Sequence, residues 1–200
     1  RYAQGEAIKH PGGFEVQMAQ PLDFYAVTDH AIFLGLINEA ADTSTSISQY
    51  DFAKPYHNIN ESVDGGLLDL NKRSKVFYGF IGDVVASLLD GTIDNAVVNQ
   101  VSNAAWSKTV EAADEAYRPG TFTTFAAYEF TSSGLHRNVI FRDGGDRARQ
   151  VVPFTTQAPV GSTDPLDLYK YLEAYEEKTN GAAMAFAHNG NLSNGIMFPV

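Results

Sequence analysis

Residues 121–130 read TFTTFAAYEF. β-Branched and aromatic side chains fill the stretch, and Arg118-Pro119-Gly120 just before it stops a preceding helix. It therefore predicts a strand that ends at Glu129. Working outward, PLDFYAVTDH at 21–30 holds an apolar run, Phe24 to Val27, too short for a helix. It predicts a buried strand closing on two polar, metal-competent residues, Asp29 and His30. RNVIFR at 137–142 predicts a third strand, turned by DGGDR at 143–147, and AAMAFAH at 182–188 predicts a last one that ends at His188.

Helical stretches separate these strands. Periodicity predicts helices over about Lys75 to Leu89 and Val98 to Tyr117, the second with Val101, Ala105, Trp106, Ala112, Ala113 and Ala116 on one side. A third opens at STDPLDLYKYLEAYEEKTNG, 162–181, where Ser162, Thr163 or Asp164 can cap, Pro165 suits the first turn and Asn180-Gly181 ends it. Leu166, Tyr169, Leu172 and Tyr175 form its expected buried stripe. A polar passage from Asp42 to Asn71 has no clear period, and Phe52, Tyr56, Leu67 and Leu68 in it suggest surface packing. Strands alternating with helices are the order of a parallel α/β sheet or barrel, here as one domain over residues 1–200.

Composition narrows the function. The 14 Lys and Arg against 24 Asp and Glu give a formal charge of -10. That is the wrong sign for a nucleic-acid or anionic-membrane partner. The chain has 0 cysteines, which removes disulfides, thiolate catalysis and iron–sulfur clusters, so any metal is held by His, carboxylate, amide or water. The most hydrophobic stretch, Val76 to Leu89, is interrupted by Asp83 and falls short of the ~20 apolar residues of a membrane span. No G-x-S-x-G elbow surrounds Ser132-Ser133, which argues against a serine hydrolase.

Three expected strands thus end in ligand types: Asp29 and His30, Glu129, and His188. In a parallel barrel all C-terminal strand ends lie on one face, so these distant residues would converge there. A lone His or Glu at a strand end is more often simply hydrated, and only the repetition points to a site. Imidazole with carboxylate suits Zn, Mn or Fe, a carboxylate can bridge two ions, and such a site makes hydroxide at neutral pH. His30 is favoured over Asp29 as ligand, because neighbours on a strand point to opposite faces. His136, in a loop after Glu129, can fold back over the same face, and Arg137 is a candidate clamp for a phosphate or carboxylate. Asn189 and Asn191 can orient His188 or simply make a turn. His10 and His57 read as solvated, and Asn60 and Asn191 head glycosylation sequons that matter only in a secreted eukaryotic protein.

LDFYAVTDHAIFLG at 22–35, PGTFTTFAAYEFTSSGLHRNVIF at 119–141 and DPLDLYKYLEAYEEKTNGAAMAFAHNGNLSNGIMF at 164–198 together resemble the DUF3604 proteins. These are relatives of the PHP (polymerase and histidinol phosphatase) superfamily. The resemblance implies a distorted barrel of parallel strands with a centre of two or three metals that hydrolyses phosphoesters. It places His30 of TDH, His136 and His188 as ligands and Glu129 as the bridging carboxylate. The superfamily's early H-x-H and late D-x-H are not found around His10, His30, His57, His136 or His188, so the parent chain is expected to extend at both ends.

The leading expectation is a metal-dependent phosphoesterase acting on a small molecule, and the alternative is a non-catalytic metal- or metabolite-binding domain on the same barrel. A segment with an open sheet edge is expected to associate with copies of itself or with the rest of its parent chain, and a periplasmic or secreted bacterial setting is favoured.

Overall fold

A computed structural model describes residues 1–10, 13–59, 70–132, 136–157 and 160–190, with the side chains of 70–75 outside the description. Its strands are β1 (Ile8–Lys9), β2 (Glu15–Val16), β3 (Phe24–Ala26), β4 (Thr123–Phe125), β5 (Ala127–Phe130), β6 (Arg137–Phe141) and β7 (Ala183–Ala187). Its α-helices are α1 (Leu36–Ala41), α2 (Leu70–Leu89), α3 (Asn95–Ala116), α4 (Gly145–Ala148) and α5 (Pro165–Thr179). The fold is mixed α/β, and packing divides it into two compact units. No helix among the described residues is long and apolar enough to cross a membrane.

The first unit comprises Arg1–Pro21 and Gly35–Ala104. The expected polar excursion is more structured than its composition suggests, with short 3-10 helices at Ile47–Gln49 and Asp51–Tyr56. Phe52 and Tyr56 are buried there, with ring centroids 6.3 and 5.0 Å from that of Phe80 on α2. The Tyr56 hydroxyl donates to Asp83 Oδ2 at 2.7 Å, which explains a charge inside the most apolar helix. His57 is half-buried with Nε2 2.9 Å from the Ser48 carbonyl, and His10 stacks on Phe14, so neither is merely solvated. Leu67, Leu68 and the sequons at Asn60 and Asn191 lie outside the described residues.

The second unit, Leu22–Leu34 with Ala105–Val200, carries the sheet. β3 pairs in parallel with β4, and the same register resumes beyond them as a parallel bridge between His30 and Glu129. The strand at 21–30 forms as expected but is not buried. Among the described residues β3 itself is hydrogen-bonded to β4 alone, and Phe24 is 66% exposed. β6 departs from the expected parallel order, pairing antiparallel with both β5 and β7. Only residues 131–136 join β5 to β6, far fewer than the dozen or so that a parallel crossover needs, so the chain must form a hairpin. The described residues form no closed barrel.

Strand alternation sorts the side chains. Tyr128 and Phe130 of β5 with Val139 and Phe141 of β6 face one core, filled by Trp106 and Val110 of α3 and by Leu168, Leu172 and Tyr175 of α5. The Trp106 indole donates to the carbonyls of Ala148 and Val151 at 3.3 and 3.0 Å and meets the Tyr128 ring edge-on. α5 begins as predicted, with the Asp164 carboxylate accepting from the Leu166 amide and Pro165 in the first turn. Its buried stripe is Leu168, Leu172 and Tyr175, while Leu166 and Tyr169 are exposed. Spacings of four and three residues from Leu168 keep one face toward the sheet. On α3 the buried positions are Val98, Trp106 and Val110, and Ala112 is exposed.

Candidate metal centre

β5 and β7 both run antiparallel to β6 and therefore run in the same direction. Their C-terminal ends lie together, and the bridge between His30 and Glu129 brings the end of the β3 segment to the same place. The Glu129 amide donates to the Asp29 carbonyl at 2.8 Å and the Ala31 amide to the Glu129 carbonyl at 2.9 Å, locking His30 beside Glu129. The hairpin before β6 delivers His136, whose carbonyl accepts from the His188 amide at 3.1 Å.

Glu129 is the hub, only 5% exposed. His30 Nδ1 lies 2.6 Å and His136 Nδ1 3.1 Å from its Oε1, and His188 Nε2 lies 2.6 Å from its Oε2. The Thr131 hydroxyl donates to Oε1 at 2.8 Å and sits 2.7 Å from His30 Nδ1. Asn189, with φ of 65°, places its amide nitrogen 3.2 Å from His136 Nδ1. That left-handed backbone carries a cost for a non-glycine residue. Among the described residues His188 Nε2 is buried and makes no aligned hydrogen bond, despite its closeness to the carboxylate.

The electrostatics follow from this crowding. Burial pushes the Glu129 carboxyl up, but hydrogen bonds from His30 and Thr131 and the charges of His30 and His136 outweigh it and hold it at about 2. The hydrogen bond to Glu129 raises His30 above the ordinary imidazole value; burial opposes that rise, and the charges of Glu129 and Asp29 reinforce it. A buried carboxylate among three imidazoles is an arrangement that either protons or a cation must neutralise.

The donor chemistry fits a cation. His30, Glu129 and His136 offer ligand atoms that all lie within 4.8 Å of one another and could hold a metal ion. Imidazole and carboxylate donors without thiolate suit Zn, Mn or Fe; His188 approaches the other oxygen of the same carboxylate and is not one of that group.

Of the residues anticipated from sequence, His30, Glu129, His136 and His188 come together. Asp29 is exposed and acts on His30 through its charge. Arg137 opens β6 on the face of Val139 and Phe141, opposite Glu129 and Asn138, with its Nε donating to the Tyr169 hydroxyl at 3.2 Å. Asn189 contacts His136 rather than His188, and Asn191 lies outside the described residues. Thr131 went unremarked in the sequence, although its spacing of two from Glu129 was a strand-period signal for the same face.

No curated protein and no solved structure matches the chain. Residues 1–200 match the family described as "Protein of unknown function (DUF3604)", and the chain belongs to that family.

Proposed function

We propose that this DUF3604 chain is a metal-dependent hydrolase of phosphoesters, with divalent Zn, Mn or Fe held by His30, Glu129, His136 and His188. One observation carries the reading: the two oxygens of a single buried carboxylate face imidazoles on different sides, His30 and His136 at Oε1 and His188 at Oε2. A carboxylate so placed suits a bridging role. A divalent ion bound there would supply Lewis-acid activation of a phosphoryl oxygen and acidify a water.

The protein's own groups prepare that chemistry. Glu129 brings a negative charge into a buried site, and Thr131 fixes the direction of its Oε1. Asn189 restrains the His136 ring, and ring orientation of this kind tunes ligand basicity. A PHP-like distorted barrel belongs to the same proposal, supported by the parallel β3–β4 pair and the common end of β3, β5 and β7. Arg137, expected as a clamp, lies on the opposite face of the sheet against Tyr169 and takes no part in this reading.

Calorimetric titration with Mn²⁺ and Zn²⁺ tests the site, and release of p-nitrophenol from p-nitrophenyl phosphate by the loaded protein tests the reaction. Saturable binding with chelator-sensitive turnover is expected, and no binding of either ion would overturn the proposal. Binding without turnover would favour a metal- or metabolite-binding domain. That second reading draws on the compactness of the donor set, a single group among the described residues with Asp29 turned to solvent.

A further inference from the structure

In the antiparallel pairing of β5 with β6, Asn138 stands directly opposite Glu129. Residues opposite one another share a face of the sheet, with Cβ atoms about 4.5–5.5 Å apart. Asn138 therefore presents its carboxamide on the metal-centre face, while its neighbours Val139 and Arg137 point to the other side. Among the described residues its Oδ1 is buried and has no hydrogen-bond partner. A buried acceptor left empty is destabilising and uncommon in native proteins, and where one persists beside a reactive centre an absent donor is the natural account.

We propose that Asn138 is a substrate-binding residue, whose Oδ1 accepts a hydrogen bond from a hydroxyl carried next to the scissile ester. The proposal rests on the hydrolase reading and deepens it by naming a substrate class. A cation held at Glu129 would bind the ester phosphate, and a hydroxyl on the carbon adjoining the ester-bearing carbon would then come within one cross-strand spacing and reach Asn138. The substrates are then phosphoesters of polyols or sugars, in preference to those of simple alcohols.

Glycerol 2-phosphate and isopropyl phosphate share a carbon skeleton and differ in the two hydroxyls beside the ester. Their binding to the Mn²⁺-loaded protein is compared by calorimetry, and their hydrolysis by phosphate release, in the wild type and in Asn138→Leu. The wild type should bind glycerol 2-phosphate at least about tenfold more tightly, and the leucine variant should bring that ratio close to one. Its affinity for Mn²⁺ should be unchanged. Its thermal midpoint should hold or rise, because an apolar side chain of similar size replaces an unsatisfied one. A falling midpoint would mark Asn138 as structural and overturn the proposal, as would a preference that survives in the variant or the failure of both esters to bind. Equal hydrolysis of the two esters by both proteins would leave the hydrolase standing and remove the Asn138 role. Selective binding that is lost in Asn138→Leu, without turnover of either ester, would uphold Asn138 and remove the hydrolase.

Discussion

Replacing Glu129 by Gln separates the two ways in which the centre can be neutralised. The substitution keeps the shape and removes the charge that faces His30, His136 and His188. In the metal-free protein the carboxyl is held at about 2 against an ordinary 4.5. At 1.36 kcal/mol per pH unit this is on the order of 3 kcal/mol in favour of the ionised form. The depressed carboxyl contributes stability above pH 4.5 that is lost as pH falls through about 2. The raised His30 contributes stability below pH 6.5 that is lost as pH rises through its folded value. Metal-free Glu129→Gln should therefore lose most between these limits, near pH 5.5, and progressively less as His30 loses its proton.

With a bound ion the balance changes. A ligand present at a hundredfold its dissociation constant stabilises the wild type by about 2.7 kcal/mol. For a chain of this length that corresponds to a thermal shift of roughly 5–10 °C. The fluorescence of Trp106, the chain's 1 tryptophan, reports unfolding of the unit that carries Glu129, since its indole lies in that unit's core. At pH 7.5 with Mn²⁺ the wild type should show the shift and Glu129→Gln should show almost none. A variant that keeps the full metal-induced shift would show that Glu129 is no ligand. A metal-free variant as stable as wild type at pH 5.5 would show that the carboxylate does not hold the imidazoles.

Three further outcomes follow from the same geometry. Thr131→Val removes the hydroxyl between Glu129 Oε1 and His30 Nδ1; metal affinity should fall by about 10–100-fold, with Thr131→Ser recovering most of it in the same calorimetric titration. Because His30 holds its proton above the ordinary imidazole value, apparent Mn²⁺ affinity should rise between pH 6 and 8 and binding should release protons, read from enthalpies in buffers of different ionisation heat; affinity that is flat with pH would contradict His30 as a ligand. Trp106→Phe strips the indole donor from the carbonyls of Ala148 and Val151 and should cost about 1–3 kcal/mol in denaturant unfolding, leaving metal stoichiometry intact.

The strand ends were legible in the sequence because each is a short run of β-forming residues that stops at a ligand type, and a period of two needs no knowledge of partners. His30, Glu129 and His188 could be read that way. His136 could be read only as a loop residue able to reach back, and its placement depends on the hairpin that the brevity of 131–136 dictates. That length was printed in the sequence, and applying the crossover requirement to it would have made β6 antiparallel from the start. Asn138 was not legible by any local rule. Its position opposite Glu129 is a matter of register, and register is set by how Tyr128 and Phe130 and their partners Val139 and Arg137 settle against the core, not by anything within RNVIF itself. The misplaced stripe of α5 has the same origin: Leu166, Tyr169, Leu172 and Tyr175 also satisfy helical spacing, and which neighbouring phase is buried was decided by the sheet that Leu168 meets. The antiparallel register also explains how His136 and His188 reach Glu129. β5 and β7 running one way and β6 the other bring a strand end, a strand start and a second strand end to one edge, and the parallel bridge adds His30, so three imidazoles meet at Glu129 although the described residues close no barrel.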